Sequence, residues 1–142
     1  MKLLQRGTGP GRRMQWVCGA EVVELALEVA AVLARSHGIG ADLWRIDDWA
    51  AMAQDGVDAE GRWRRGESGR VHSRFEALMA PTQGAILAVT REPRAVPELL
   101  RAFAPAGRRY LSLSGADVDA LRETALKLDA EIDIEWSNLS AM

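Results

Sequence analysis

The sequence predicts a three-layer α/β domain with a mostly parallel five-stranded sheet. Three observations predict this fold class. Residues 14–19, 41–46 and 85–90 are short apolar segments that end at turn residues, as buried strands do. Longer segments with helical apolar spacing alternate with them, which favours parallel pairing. The 142 residues are enough for one such domain with its own core.

The first β-α-β unit is the clearest part of the pattern. Residues 1–13 contain glycines and basic residues and predict a linker or N-terminal arm, so we assign the domain to residues 14–142. The strand at 14–19 is followed by a helix over 20–36, and a second strand covers 41–46. The apolar face of the helix is wide enough to contact the sheet and one further element.

The middle of the chain is less regular. Asp47 or Asp48 can cap a short helix that contains residues 49–53. Residues 54–69 are polar and contain glycines, which predicts a long connection and a candidate contact surface. A helix over 71–79 then precedes the strand at 85–90.

The C-terminal part alternates again. We expect a helix over 95–104, a strand over 108–114 and a helix over 116–128. Residues 131–136 alternate strictly between acidic and apolar side chains, which predicts a half-exposed last strand at the edge of the sheet.

Composition and charge exclude several classes of function. A net charge of −2 gives no bulk electrostatic attraction to nucleic acid or to an anionic membrane. The most apolar stretch contains Glu24 and Glu28, which excludes a membrane span. The single cysteine, Cys18, permits no intramolecular disulfide, and the N-terminus does not read as a signal peptide, so we expect a cytoplasmic protein.

One candidate site lies where strands end. Cys18, Gly19 and Ala20 join a strand to a helix, and Ser114 and Gly115 follow another strand. Strand ends of open α/β sheets commonly bind ligands, and helix starts favour anions. The alternatives are a small buried residue in a tight turn, or an enzyme that uses Cys18 as a nucleophile.

The second candidate is an interface at Arg62, Trp63, Arg64 and Arg65. Arginine and tryptophan are enriched at protein interfaces, although they also bind polyanions, and a solvated loop is the plainer interpretation. His37, His72 and Cys18 do not have the spacing of a zinc site. We therefore predict no metal-binding residue in this chain.

The order of four segments resembles a known family. They are WVCGAEV from Trp16, GIGADLWRI from Gly38, residues 49–60, and residues 94–113. Together they resemble the C-terminal domain of thiamine-diphosphate enzymes of the transketolase type, and most closely the homodimeric pyruvate dehydrogenase E1 component. The family's glycine-rich turn after the strand that contains Tyr110 is replaced here by Ser112–Asp119, so any function of that turn is in doubt.

The resemblance implies a non-catalytic domain, with no catalytic and no cofactor-binding residue in this chain. The family's Gly-Asp-Gly motif for magnesium and diphosphate and its activating glutamate have no counterpart here, so thiamine diphosphate and magnesium are implied only for a partner. The expected role is association, as a homodimer or with an E1-like subunit that binds thiamine diphosphate. A small-molecule or anion-binding regulatory module is the alternative.

Overall fold

The computed structural model describes residues 1–8, 13–70 and 72–140. Beyond Glu131, only the backbone of these residues is described. It confirms the predicted fold class, a mixed and mostly parallel five-stranded sheet between two helical layers. Across the sheet the strand order is β1-β3-β2-β4-β5. The strands are β1 (Lys2–Gln5), β2 (Arg13–Gly19), β3 (Gly40–Ile46), β4 (Ile86–Val89) and β5 (Tyr110–Leu113). The helices are α1 (Val23–His37), α2 (Trp49–Arg64), α3 (Arg74–Met79), α4 (Ala95–Glu98) and α5 (Val118–Ser140).

Two hydrophobic clusters, one on each face of the sheet, form the core. On one face, α1 packs on β2 and β3 around Trp16 and Leu33, and it also contacts α5 through the cluster that contains Leu121 and Leu128. The further element predicted for the wide face of α1 is therefore α5. On the other face, α2, α3 and α4 cover a second cluster that includes Phe75 and Tyr110.

The N-terminal segment differs from the predicted arm, because Lys2–Gln5 forms β1 and pairs antiparallel with β3. A polar network attaches the residues that follow it. The carboxylate of Asp42 accepts the backbone N–H of Gly7 at 2.7 Å and the amide of Gln15 at 2.9 Å. The indole N–H of Trp44 donates to the side-chain oxygen of Gln15 at 2.9 Å. Since Gln15 is fully buried, these partners satisfy polar atoms that would otherwise be costly to bury.

The predicted long connection at 54–69 is wrong for its first part, because α2 continues to Arg64. Asp48 caps the helix through its side chain, which accepts the N–H of Ala51. Gly56 does not break α2 but faces inward, where a Cβ would lie 2.5 Å from the ring of Phe103. The glycine therefore permits close packing rather than marking a loop.

The predicted edge strand at 131–136 is also wrong, because these residues belong to α5. Asp117 begins this helix by accepting the N–H of Ala120 at 2.8 Å. Leu121, Ala125 and Leu128 then bury one stripe. The helix predicted over 95–104 is likewise divided into α4 and a separate 3-10 turn at Arg101–Phe103.

The last strand of the sheet is instead β5, and it lies at an edge. The carbonyls of Arg109 and Leu113 accept N–H groups on the β4 side, so the carbonyl of Tyr110 faces the free edge. Arg101 donates to that carbonyl at 2.8 Å, and its guanidinium also lies over the Tyr110 ring, 5.2 Å from the centroid. Within the described residues, no helix is long and apolar enough to cross a membrane.

Candidate functional site

The carboxyl ends of the four parallel strands meet at one edge of the sheet, as the strand-end hypothesis requires. Gly19 ends β2, Thr90 follows β4, and Ser114 follows β5. Because β4 lies between β2 and β5, the Cys18–Gly19–Ala20 turn and the Ser114–Gly115 turn flank Thr90 from opposite sides. The strand-end crevice, as we call these three strand ends, is centred on Thr90, which is fully buried.

The chain supplies its own anion at this position. The carboxylate of Glu21 accepts the Thr90 hydroxyl at 2.6 Å and the backbone N–H of Arg91 at 3.0 Å. Gly19 makes room for it, since a Cβ there would lie 2.5 Å from one of the Glu21 oxygens. Two donors at the strand ends, the Thr90 hydroxyl and the N–H of Arg91, are thus already engaged by the chain itself.

The charge of Glu21 is stabilised in this position. Partial burial by itself raises the pKa of the carboxyl group. The hydrogen bonds from Thr90 and from the N–H of Arg91 outweigh it, so the pKa lies below its ordinary value of 4.5. Glu21 is therefore ionised at neutral pH and disfavours a second negative charge in the crevice.

Cys18 has the properties of a structural residue. It is 1% exposed and belongs to the core cluster beneath α1. Burial, together with the nearby charge of Glu21, raises the pKa of the thiol from 9.0 to about 12. Because the thiolate is the nucleophilic form, this environment opposes the use of Cys18 in covalent catalysis.

The sequence pattern does not identify Glu21, Thr90 or Arg91 as parts of this crevice. The signal for Glu21 was its position two residues after the strand-ending Gly19. Nothing local pairs it with Thr90, which lies 69 residues further along the chain. The predicted ligand contacts at Ala20, Ser114 and Gly115 stay predictions, although Gly115 does adopt a left-handed φ of 59° in the turn after β5.

The second candidate site lies at the end of α2. The basic residues Arg62 and Arg64 are in the last helical turn, and Arg65 follows it. Trp63 is 50% exposed, whereas Trp16, Trp44 and Trp49 are buried. The side chain of Trp136 lies outside the described side chains, and His72 is exposed near the start of α3.

A groove of about 420 Å³ lies along this end of the helix. Val57 and Gly61, one turn apart, form its floor, and Val57 is 48% exposed. The guanidinium of Arg65 binds both carboxylate oxygens of Glu67, at 3.1 and 3.2 Å. The end of α2 therefore combines exposed apolar surface with positive charge.

The fold and these two regions define a three-layer α/β domain in which Glu21 binds two of the strand-end donors and the end of α2 is exposed. No family model matches the chain. Three curated proteins are similar to it, each a pyruvate dehydrogenase E1 component. The identity is 28% over 127 residues for the protein of Mycolicibacterium smegmatis, 29% over 119 for that of Pseudomonas aeruginosa, and 28% over 134 for that of Cupriavidus necator.

These similarities cover most of this chain but little of the relatives. The alignments include 76%, 81% and 92% of the chain, in the same order. The chain spans only 13–14% of the length of the relatives that it matches. It is thus related in sequence to a part of pyruvate dehydrogenase E1 components.

Proposed function

We propose that this chain is a non-catalytic domain of the transketolase C-terminal type, which acts by association within a pyruvate dehydrogenase E1-like or transketolase-like enzyme of the cytoplasm. The observation that carries the proposal is the similarity to three E1 components over 76–92% of the chain and only 13–14% of their length. A segment of that size corresponds to one domain of a larger protein.

The strand-end crevice supports assigning the chemistry to the partner. Thiamine diphosphate carries a negatively charged diphosphate, and the ionised carboxylate of Glu21 occupies two of the donors at the strand ends. The negative charge of Glu21 beside these donors disfavours a diphosphate there, and we therefore assign thiamine diphosphate and magnesium to the E1-like partner subunit. Burial of Cys18 also disfavours a nucleophilic role for this thiol, in keeping with an association role for this chain.

The end of α2 supports a role in association. We place the contact surface at Arg62, Trp63, Arg64 and Arg65, because all four are exposed in the isolated chain. Arginine and tryptophan side chains contribute a large share of binding energy at protein interfaces. The partner is either a second copy of this chain or the E1-like subunit.

Affinity purification from the source organism tests the proposal. We expect the tagged chain to retain a protein that mass spectrometry identifies as carrying the remaining E1-like sequence, or to form a dimer by light scattering. The control for specific retention is Gly84→Val, which should disrupt the fold because Gly84 has a φ of 89° and a Cβ there would collide with the Arg13 carbonyl. A strict monomer that retains no E1-like protein would contradict the association role.

A further inference from the structure

The groove at the end of α2 is lined by two neighbouring rows of side chains. Val57, Gly61 and Arg64 stand at i, i+4 and i+7 and share one helical face. Asp58, Arg62 and Arg65 form the adjacent stripe. Gly61 has no side chain at the centre of this surface, and the guanidinium of Arg65 lies beside it, 3.2 Å from where a Cβ would stand.

Some charged side chains of the groove have a partner within the chain, and others have none. Arg65 is paired with Glu67, and Asp58 accepts the amide of Gln54 at 3.0 Å. Among the residues that the structure describes, the guanidinium groups of Arg62 and Arg64 have no ion-pair or hydrogen-bond partner. Two free arginines therefore flank an exposed apolar floor.

The surrounding sequence strengthens this positive character. Residues 61–74 contain five arginines and one carboxylate, whereas the whole chain has a net charge of −2. The rest of the molecule is accordingly acidic, and a basic patch on an acidic protein attracts and orients partners of opposite charge. Guanidinium groups also bind carboxylates in a two-pronged geometry that lysine cannot reproduce.

We propose that this groove binds an acidic segment of a partner protein, with carboxylates against Arg62 and Arg64 and an apolar side chain on Val57 over Gly61. The inference rests on the proposed association role for the identity of the partner, and it adds the chemistry of the segment that docks. Trp63 projects from another side of the helix end and is not required for this contact.

The first test uses a fluorescein-labelled peptide of glutamates interspersed with leucines, measured by fluorescence anisotropy against the full chain. We expect binding that weakens as salt is raised, because screening reduces attraction between exposed charges. Arg62→Glu combined with Arg64→Glu should weaken it by about tenfold or more. Gly61→Leu should also weaken it, because the leucine would fill the groove and displace the guanidinium of Arg65 while leucine remains a good helix former.

The matched control is Arg35→Glu combined with Lys127→Glu, which changes the net charge equally on α1 and α5, across the sheet from α2. It should bind like the wild type. No binding of the peptide, equal loss in the control, or equal binding of a peptide with lysines in place of glutamates would each overturn the proposal. So would a dimer that the Arg62 and Arg64 reversals dissociate, because the occupant would then be a second copy.

Affinity purification with the same variants separates this inference from the association role. If the reversed variant retains the E1-like protein as well as the wild type does, the association role stands and the groove proposal is wrong. If the peptide result holds but the wild type is a strict monomer that retains no E1-like protein, the groove proposal stands and the association role fails.

Discussion

The strand-end crevice and the end of α2 differ in how completely the chain satisfies its own groups. In the crevice, the carboxylate of Glu21 binds the hydroxyl of Thr90 and the N–H of Arg91, and Cys18 is buried beneath. At the end of α2, Val57 and Trp63 are about half exposed. The position where an α/β fold commonly binds ligands is thus internally bound, while surface suited to contact lies on a helix. Substitutions in the crevice should therefore alter stability, and those at the end of α2 should alter binding alone.

The largest effect should be seen in the reactivity of Cys18. Burial of the thiol and its raised pKa should slow alkylation by iodoacetamide about a hundredfold or more relative to the urea-unfolded chain, because reaction requires opening of the core. Mass spectrometry of timed aliquots measures this ratio. Fast alkylation of a chain that keeps its native circular dichroism would show that Cys18 is accessible in the folded protein. The contrast between a closed crevice and an exposed end of α2 would then be wrong.

Next in size is the effect of removing the carboxylate of Glu21. Glu21→Ala should lower the free energy of unfolding by about 1 kcal/mol, because Thr90 and Arg91 lose a charged acceptor at a partly solvated position. Glu21→Gln keeps an acceptor oxygen and should lose less. Urea unfolding followed by circular dichroism compares the variants, and equal losses for both would mean that a neutral acceptor of the same length replaces none of the contribution of the carboxylate.

The pH dependence of stability, compared between the wild type and Glu21→Gln, measures the contribution of the negative charge of Glu21. The folded-state pKa of Glu21 is lower than its unfolded value of about 4.5, so its stabilising contribution is present above that value. The contribution is lost as the pH falls through the folded pKa. The stability gap between wild type and Glu21→Gln should therefore narrow on acidification, and urea titrations at several pH values measure it. A stability difference that widens in acid would mean that the protonated form of Glu21, rather than the charged form, stabilises the fold.

The smallest effect on stability should come from Trp63. Trp63→Ala should change the free energy of unfolding by less than about 0.5 kcal/mol, because the side chain is half exposed at a helix end. The matched control is Trp49→Ala, whose side chain is 6% exposed in the core, where the expected loss is about 3–5 kcal/mol. Thermal unfolding compares both. A large loss for Trp63→Ala would mean that this residue belongs to the core rather than to a contact surface.

The parts of the fold that sequence predicted were those with a local cause. The strand that ends at Gly19, the helix that ends at His37 and the strand at Ile86–Val89 each combine an apolar pattern with a turn residue. The errors came from long-range packing. Gly56 resembles a loop residue until Phe103 is placed against it, and the alternation at 131–136 gives way to a helix already started by Asp117. Lys2–Gln5 becomes a strand because β3 offers it a partner.

The candidate sites show the same division. The exposed arginines at the end of α2 were recognisable from composition, because charge and tryptophan are properties of a short stretch. The role of Glu21 was not, since its partners at Thr90 and Arg91 are brought to it by the parallel pairing of β2 with β4. Local sequence gives a carboxylate near a strand end but not the donors that it meets.

The contact between Arg101 and the outer edge of β5 has a consequence for how the protein behaves at high concentration. A strand added to this edge would need the outward carbonyl of Tyr110, which Arg101 already binds. It would also meet the guanidinium stacked on the Tyr110 ring. Copies of the chain are therefore hindered from joining sheet to sheet through β5, the route by which exposed strands commonly seed aggregates.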